Sequence, residues 1–142
     1  MKKFIASMGV LGLLMSFSAT SSFAAAGEDH LDYGQSLQKG QHLVSQNGLY
    51  SLEMQYDGNL VLYGRGTHLW DTHTGGNTRV MGVMFSNRLF LPGDNGYSQW
   101  TSDNWNGESG NLLKLQDDGN LVIYVNSFTY YRVVWDTGTN LR

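Results

Sequence analysis

The chain has 142 residues, a single proline, no cysteine and 13% aromatic residues, with a formal charge of −3. Of its nine Lys and Arg, Lys2 and Lys3 sit at the start, so the remainder sets seven basic against 12 acidic residues, a formal −5. That balance excludes a nucleic-acid binder, which needs a basic face against phosphate, and disfavours docking on anionic lipid. Without cysteine, a core and not a disulfide must hold the fold.

From the start, Lys2 and Lys3 precede an apolar run from Phe4 to Phe17, and small residues lead on to Ala24-Ala25-Ala26. A basic head, a short apolar run and an Ala-x-Ala-like end read as a secretory signal peptide over residues 1–26. Cleavage after Ala24 and cleavage after Ala26 fit equally well. The run is too short for a comfortable membrane span. The expected product is secreted, extracellular or periplasmic, with no membrane insertion once the leader is removed. Residues 27–142 are one ordinary domain's worth of chain.

Helix signals are nearly absent from that domain. Short apolar runs alternate with Gly, Asn and Asp turns, the rhythm of an all-β sandwich, barrel or prism. Asn47-Gly48 marks one tight turn, and Leu49-Tyr50-Ser51 leads into the segment Leu52–Tyr63. There Asp57-Gly58-Asn59 is a turn, since Gly and Asn accept positive φ at little cost. Both flanks alternate as half-buried strands do, with Leu52, Met54, Leu60 and Leu62 facing a core. Gln55, Asp57, Asn59 and Tyr63 then face outward, together with Val61. The set recurs at the same spacing in Leu113–Tyr124, as Gln116, Asp118, Asn120, Val122 and Tyr124.

This repeated Gln-x-Asp-x-Asn-x-Val-x-Tyr resembles the sugar-binding motif of the bulb-type, monocot mannose-binding lectins, the snowdrop-lectin family. The resemblance runs from Gly34-Gln35-Ser36-Leu37 to Trp135, and within it Gly34–Val44 looks like the family's entry hairpin. It implies a β-prism II, three small antiparallel sheets related by a pseudo-threefold axis. The sequence shows a matching period. Trp70-Asp71-Thr72, Trp100-Thr101-Ser102 and Trp135-Asp136-Thr137 each close a segment, giving repeats at about 49–75, 79–103 and 111–138. One Trp from each is expected at the shared core, with Trp105 outside the series.

The middle repeat departs from the motif. Aligning Asn87 with Asn59 puts Val83, Phe85, Leu89 and Leu91 at the other positions; a one-residue shift puts Met84, Ser86, Arg88, Phe90 and Pro92 there. Neither register leaves a sugar site. Met81, Val83, Met84, Phe85, Leu89 and Phe90 make the segment apolar enough either for a tighter core or for burial against a partner such as a second copy. The third repeat carries an insert, Asn126–Arg132, whose aromatics either stack on a second ring of an oligosaccharide bound at the neighbouring sugar site or form a longer solvent-touching hairpin.

A hexose offers adjacent hydroxyls around an apolar ring, and carboxylate, amide and phenol side chains match that pattern. What the resemblance implies is more specific. Asp57 and Asn59 hold the axial 2-hydroxyl of mannose, Gln55 reaches the 3-hydroxyl, Tyr63 the 4-hydroxyl, and Val61 touches the ring carbons. Asp118, Asn120, Gln116, Tyr124 and Val122 repeat those roles in a second site. The implied partners are mannose-containing glycans or polysaccharide, with no cofactor and no metal. A homodimer formed by exchange of the strand around Val133-Val134-Trp135 is a further implication. Catalysis would need a nucleophile–base pair, a carboxylate pair or a metal cluster. The sequence has no Gly-x-Ser-x-Gly, and His30, His42, His68 and His73 lack metal-ligand spacing. A lectin-like bacteriocin acting on surface polysaccharide is the alternative reading.

Overall fold

The computed structural model describes residues 27–140. The leader at 1–26 and its cleavage points therefore lie outside the described residues. Twelve short strands make three four-stranded antiparallel sheets. The first repeat supplies β4 (Tyr50–Met54), β5 (Leu60–Gly64) and β6 (Thr67–Asp71) to one sheet. The middle repeat supplies β7 (Gly82–Ser86), β8 (Arg88–Pro92) and β9 (Ser98–Thr101), and the third β10 (Leu112–Leu115), β11 (Leu121–Asn126) and β12 (Tyr131–Asp136).

The fourth strand of every sheet comes from the N-terminal stretch. β1 (His30–Asp32) joins the sheet of the third repeat, β2 (Ser36–Gln38) that of the middle repeat and β3 (His42–Val44) that of the first. The segment Gly34–Val44 is thus not a hairpin: β2 and β3 run to different sheets. Each strand is three residues long and turns a single leucine inward, Leu31, Leu37 or Leu43, all essentially fully buried. Three such strands distributed among three sheets tie the repeats together, because no repeat can cover its own apolar face.

The alternation read from the sequence is what builds the core. Leu52, Met54, Leu60 and Leu62 are fully buried, as are Leu113, Leu115, Leu121 and Ile123 in the third repeat. Val83, Phe85, Leu89 and Leu91 fill the same layer in the middle repeat. On the axis, Trp70, Trp100 and Trp135 stand edge-to-face in a ring, with centroids 5.6, 5.9 and 6.1 Å apart and planes at 72–73°. Edge-to-face contact sets the positive rim of one indole against the negative face of the next. Trp105 lies outside this ring and is exposed, at a 3-10 turn over Trp105–Gly107. The architecture is the β-prism II of the sequence reading.

Strand register resolves the middle repeat. Met54 pairs with Leu60 across five intervening residues, whereas Phe85 pairs with Leu89 across three. The turn has lost the residues corresponding to Tyr56 and Asp57. Beyond it, Arg88, Phe90 and Pro92 take the places of Asn59, Val61 and Tyr63. Before it, Met84 takes the place of Glu53 and Ser86 that of Gln55. The register anchored on Asn87 fails because it would put the fully buried Leu89 and Leu91 on the outer face. The shifted register holds only after the turn. The apolar residues divide accordingly: Val83, Phe85 and Leu89 are core, Met84 and Phe90 pair on the outer face, and Met81 is exposed.

The insert of the third repeat extends β11 and β12, joined at a turn over 127–130. Within the chain, β12 pairs with β11 along its length, so Val133–Trp135 is a paired strand of its own sheet.

Candidate functional site

Each motif lies on a hairpin turn and the strand after it. In the first repeat, Gln55 leaves β4, Asp57-Gly58-Asn59 turn the chain, and Val61 and Tyr63 project from β5. Gly58 is required twice over. Its φ is +91°, and a Cβ there would stand 2.6 Å from the Asn77 carbonyl oxygen. Gly119 in the third repeat has φ +89°, and its Cβ would meet the Tyr50 ring at 2.6 Å. Each turn is therefore pressed against the neighbouring part of the prism, which fixes the direction of its polar side chains.

The polar groups are oriented before any ligand arrives. The Asp57 carboxylate accepts the Asn59 N–H at 2.9 Å through Oδ1, leaving Oδ2 for an incoming hydroxyl. The Asn59 Oδ1 accepts the Thr74 N–H at 3.2 Å and the Thr72 hydroxyl at 3.1 Å. A backbone N–H can only donate, so the amide oxygen is held inward and the Nδ2 donor faces out. Gln55 Nε2 donates to the Tyr63 hydroxyl at 2.9 Å, which leaves the Gln55 oxygen and the phenolic proton to a ligand. The third repeat repeats this bond for bond. Asn120 N–H donates to Asp118 at 2.9 Å, Thr139 N–H and Thr137 hydroxyl donate to Asn120 Oδ1 at 3.2 and 3.1 Å, and Gln116 donates to Tyr124.

These threonines hold the motif amides in place, a role that the motif spacing does not reveal. Thr74 donates its hydroxyl proton to the Gly58 carbonyl at 2.7 Å and so accepts from the Thr72 hydroxyl at 2.7 Å, whose proton is shared with Asn59 Oδ1; Leu60 N–H donates to Thr72 at 3.2 Å. Thr137 and Thr139 make the same set around Gly119 and Leu121. The visible signal was Asp-Thr-x-Thr after the Trp in the repeats that keep the motif. In the middle repeat Ser102 and Asn104 stand in for the pair, and Asn104 donates to the carbonyl of Asn87, whose φ is +62°. The supporting layer persists there although the carboxylate turn is gone.

Val61 and Val122 lie on the expected outer face but are only 2% exposed. Val61 sits between its register partners Glu53 and Asp71, and Val122 between Lys114 and Asp136. Each offers a sliver of apolar surface rather than an open patch.

The two motifs have different surroundings. In the first, Asp71 bonds His68 at 2.6 Å and the His73 N–H at 2.6 Å, and His68 stands edge-on to Tyr63 at 6.4 Å. Burial pushes the Asp71 carboxyl up, but these histidine partners outweigh it and hold the group below its usual range. In the third, Lys114 bonds Asp29, and Tyr131 stacks on Tyr124 with centroids 4.2 Å apart and planes at 24°. Tyr124 is thereby 8% exposed, whereas Tyr63 is half-buried. Burial, with Tyr131 alongside, raises the Tyr124 phenol above its ordinary value, so it stays a neutral hydroxyl.

Asp57 and Asp118 belong to turns of different sheets. Among the described residues, no three His, Cys, Asp or Glu side chains are placed to hold a metal ion. Among the same residues, no helix is long and apolar enough to cross a membrane.

No protein-family model matches the chain. A mannose-specific lectin of Aloe arborescens is 34% identical over 96 residues, covering 65% of this chain and 82% of that lectin. Two longer mannose-specific lectins of Colocasia esculenta also match; the chain spans 34% and 47% of their lengths. Among solved structures, a monomeric monocot mannose-binding lectin of Gastrodia elata superposes with a TM-score of 0.67 at 34% identity, over 80% of this chain and 100% of its own. The snowdrop (Galanthus nivalis) agglutinin, solved with methyl-α-D-mannoside, superposes with a TM-score of 0.59 at 30% identity, over 81% and 100%.

Proposed function

Because the chain belongs to the monocot mannose-binding lectin family, carbohydrate-binding proteins rather than enzymes, we propose that it binds mannose-containing glycans at two sites. One is Gln55, Asp57, Asn59, Val61 and Tyr63; the other is Gln116, Asp118, Asn120, Val122 and Tyr124. The observation that carries this reading is the paired hydrogen-bond scaffold. In both turns an Asn amide is locked with its Nδ2 outward beside a carboxylate with a spare oxygen. A donor and an acceptor fixed side by side suit a sugar hydroxyl, which gives one bond and takes another.

Bonds to the carboxylate are the stronger ones, being charge-assisted. Each bond exchanged against water still nets only about 1 kcal/mol. A monosaccharide Kd near the millimolar range, about −4 kcal/mol, follows. Useful avidity then comes from engaging both sites on one glycan surface. The chain is proposed to work after export, its leader 1–26 removed. A homodimer would add valency; since β12 already pairs within its own sheet, a second copy has to extend or replace that edge. Sedimentation at tens of micromolar reads this, and a strict monomer rejects it.

Comparing mannose with glucose tests the sugar assignment, because the two differ only in the direction of the 2-hydroxyl. Saturable binding of mannose, with glucose clearly weaker, is expected by calorimetry or ligand-observed NMR; equal response to both would overturn it. An antibacterial module would use the same two sites on bacterial surface polysaccharide. Mannose binding without killing of related bacteria excludes that variant.

A further inference from the structure

The third-repeat site carries a wall that the first lacks. Tyr131 lines a recess of about 310 Å³ together with the motif residues Gln116 and Asp118 and with Lys114 of the same hairpin. Its ring is stacked on Tyr124 on one side and is itself 57% exposed. The hairpin that presents it is well anchored. The Asn111 side chain closes on the backbone of Asn126 through two bonds of 2.7 Å. Ser127 and Tyr130 close the tip, and Arg132, next to Tyr131, bonds Glu108 at 2.9 Å. In the first repeat the corresponding hairpin ends at Gly64 and Thr67, and His68 meets Tyr63 edge-on. An aromatic ring held rigidly beside a sugar site offers a flat apolar face at little entropic cost.

Building on the lectin reading, we propose that Tyr131 is the specificity-determining residue of the third-repeat site, its ring stacking on a second pyranose next to the one held by Gln116, Asp118 and Asn120. The site then favours a mannose disaccharide over a single mannose, and that preference resides in Tyr131.

The test isolates each site in the full domain. Asp57→Ala leaves the third-repeat site alone and Asp118→Ala leaves the first. Calorimetry with methyl α-D-mannoside and with an α-linked mannobiose gives a disaccharide-to-monosaccharide affinity ratio for each. Stacking on one ring predicts a third-site ratio of roughly three- to tenfold. Tyr131→Ala in the Asp57→Ala background should collapse that ratio toward one, and Tyr131→Phe, which keeps the ring, should retain it. The first-site ratio, measured in the Asp118→Ala background, should be indifferent to both changes. A third-site ratio that survives Tyr131→Ala, or a monosaccharide affinity that rises when the ring is removed, overturns the proposal while leaving the lectin reading intact. Absence of mannoside binding at both sites overturns the lectin reading, and this proposal with it.

Discussion

Thr74 donates its backbone N–H to Asn59 Oδ1 at 3.2 Å, and Thr139 does the same to Asn120 at the same distance. That one bond decides which end of each motif amide faces solvent. A threonine three residues beyond the last strand of its repeat, distant in sequence from the turn it serves, thus makes the turn a donor–acceptor pair of fixed polarity.

The threonine layer should be separable from the motif by mutation. Thr72→Val keeps the shape and removes the hydroxyl that serves Leu60, Asn59 and Thr74. A buried N–H left unpaired costs about 1–3 kcal/mol. The expected outcome is a lower melting temperature together with weakened mannose binding at the first site only. Thr137→Val should act likewise on the other site. An unchanged isotherm in either variant contradicts the positioning role.

Gly58→Ala and Gly119→Ala should both destabilise the fold. Each forces a side chain into left-handed backbone, and each drives a Cβ against a neighbour 2.6 Å away. Left-handed strain of about 1–2 kcal/mol adds to an overpacking cost of about 1–3 kcal/mol. Thermal unfolding measures the sum, and a loss below about 1 kcal/mol would show that the turns have room to shift.

Much of this fold is legible in the sequence, for a physical reason. The period-two alternation around Leu52–Leu62 and Leu113–Ile123 fixes which side is core, and the recurring Trp gives the count of repeats. What escapes is non-local or unevenly spaced. β1, β2 and β3 are three residues each, too short to carry a pattern, and their partners lie in three different repeats. The middle repeat defeats a fixed-spacing alignment because its turn lacks two residues while its flanking strands keep register. The motif residues are brought together as the spacing implies. The near-complete burial of Val61 and Val122 is not readable, since it depends on cross-strand neighbours. Nor is the stacking of Tyr131 on Tyr124, which depends on where the extended hairpin bends.

Asp29 should reveal itself in the acid range. Burial pushes its carboxyl up, but the Lys114 ammonium and His30 outweigh burial and hold it below its usual range. A carboxyl with a lowered folded value stabilises above the unfolded value of about 3.9, and that stability is lost as pH falls through the folded value. Asp29→Asn should therefore be less stable than the parent at neutral pH, by a margin that closes below about pH 4. Melting curves across pH 2–7 read this directly. A margin that widens in acid contradicts it.

In the proposed reading mannose binds at two sites, in only those repeats that keep the carboxylate turn. Calorimetric stoichiometry with methyl α-D-mannoside is the most direct measurement. Losing a charge-assisted bond of about 1.5–3 kcal/mol erases a millimolar site. Two mannosides per parent chain are expected, one after Asp57→Ala or Asp118→Ala, none in the double variant, and an unchanged two after Arg88→Ala in the middle repeat. A folded double variant that still binds two mannosides per chain would contradict it.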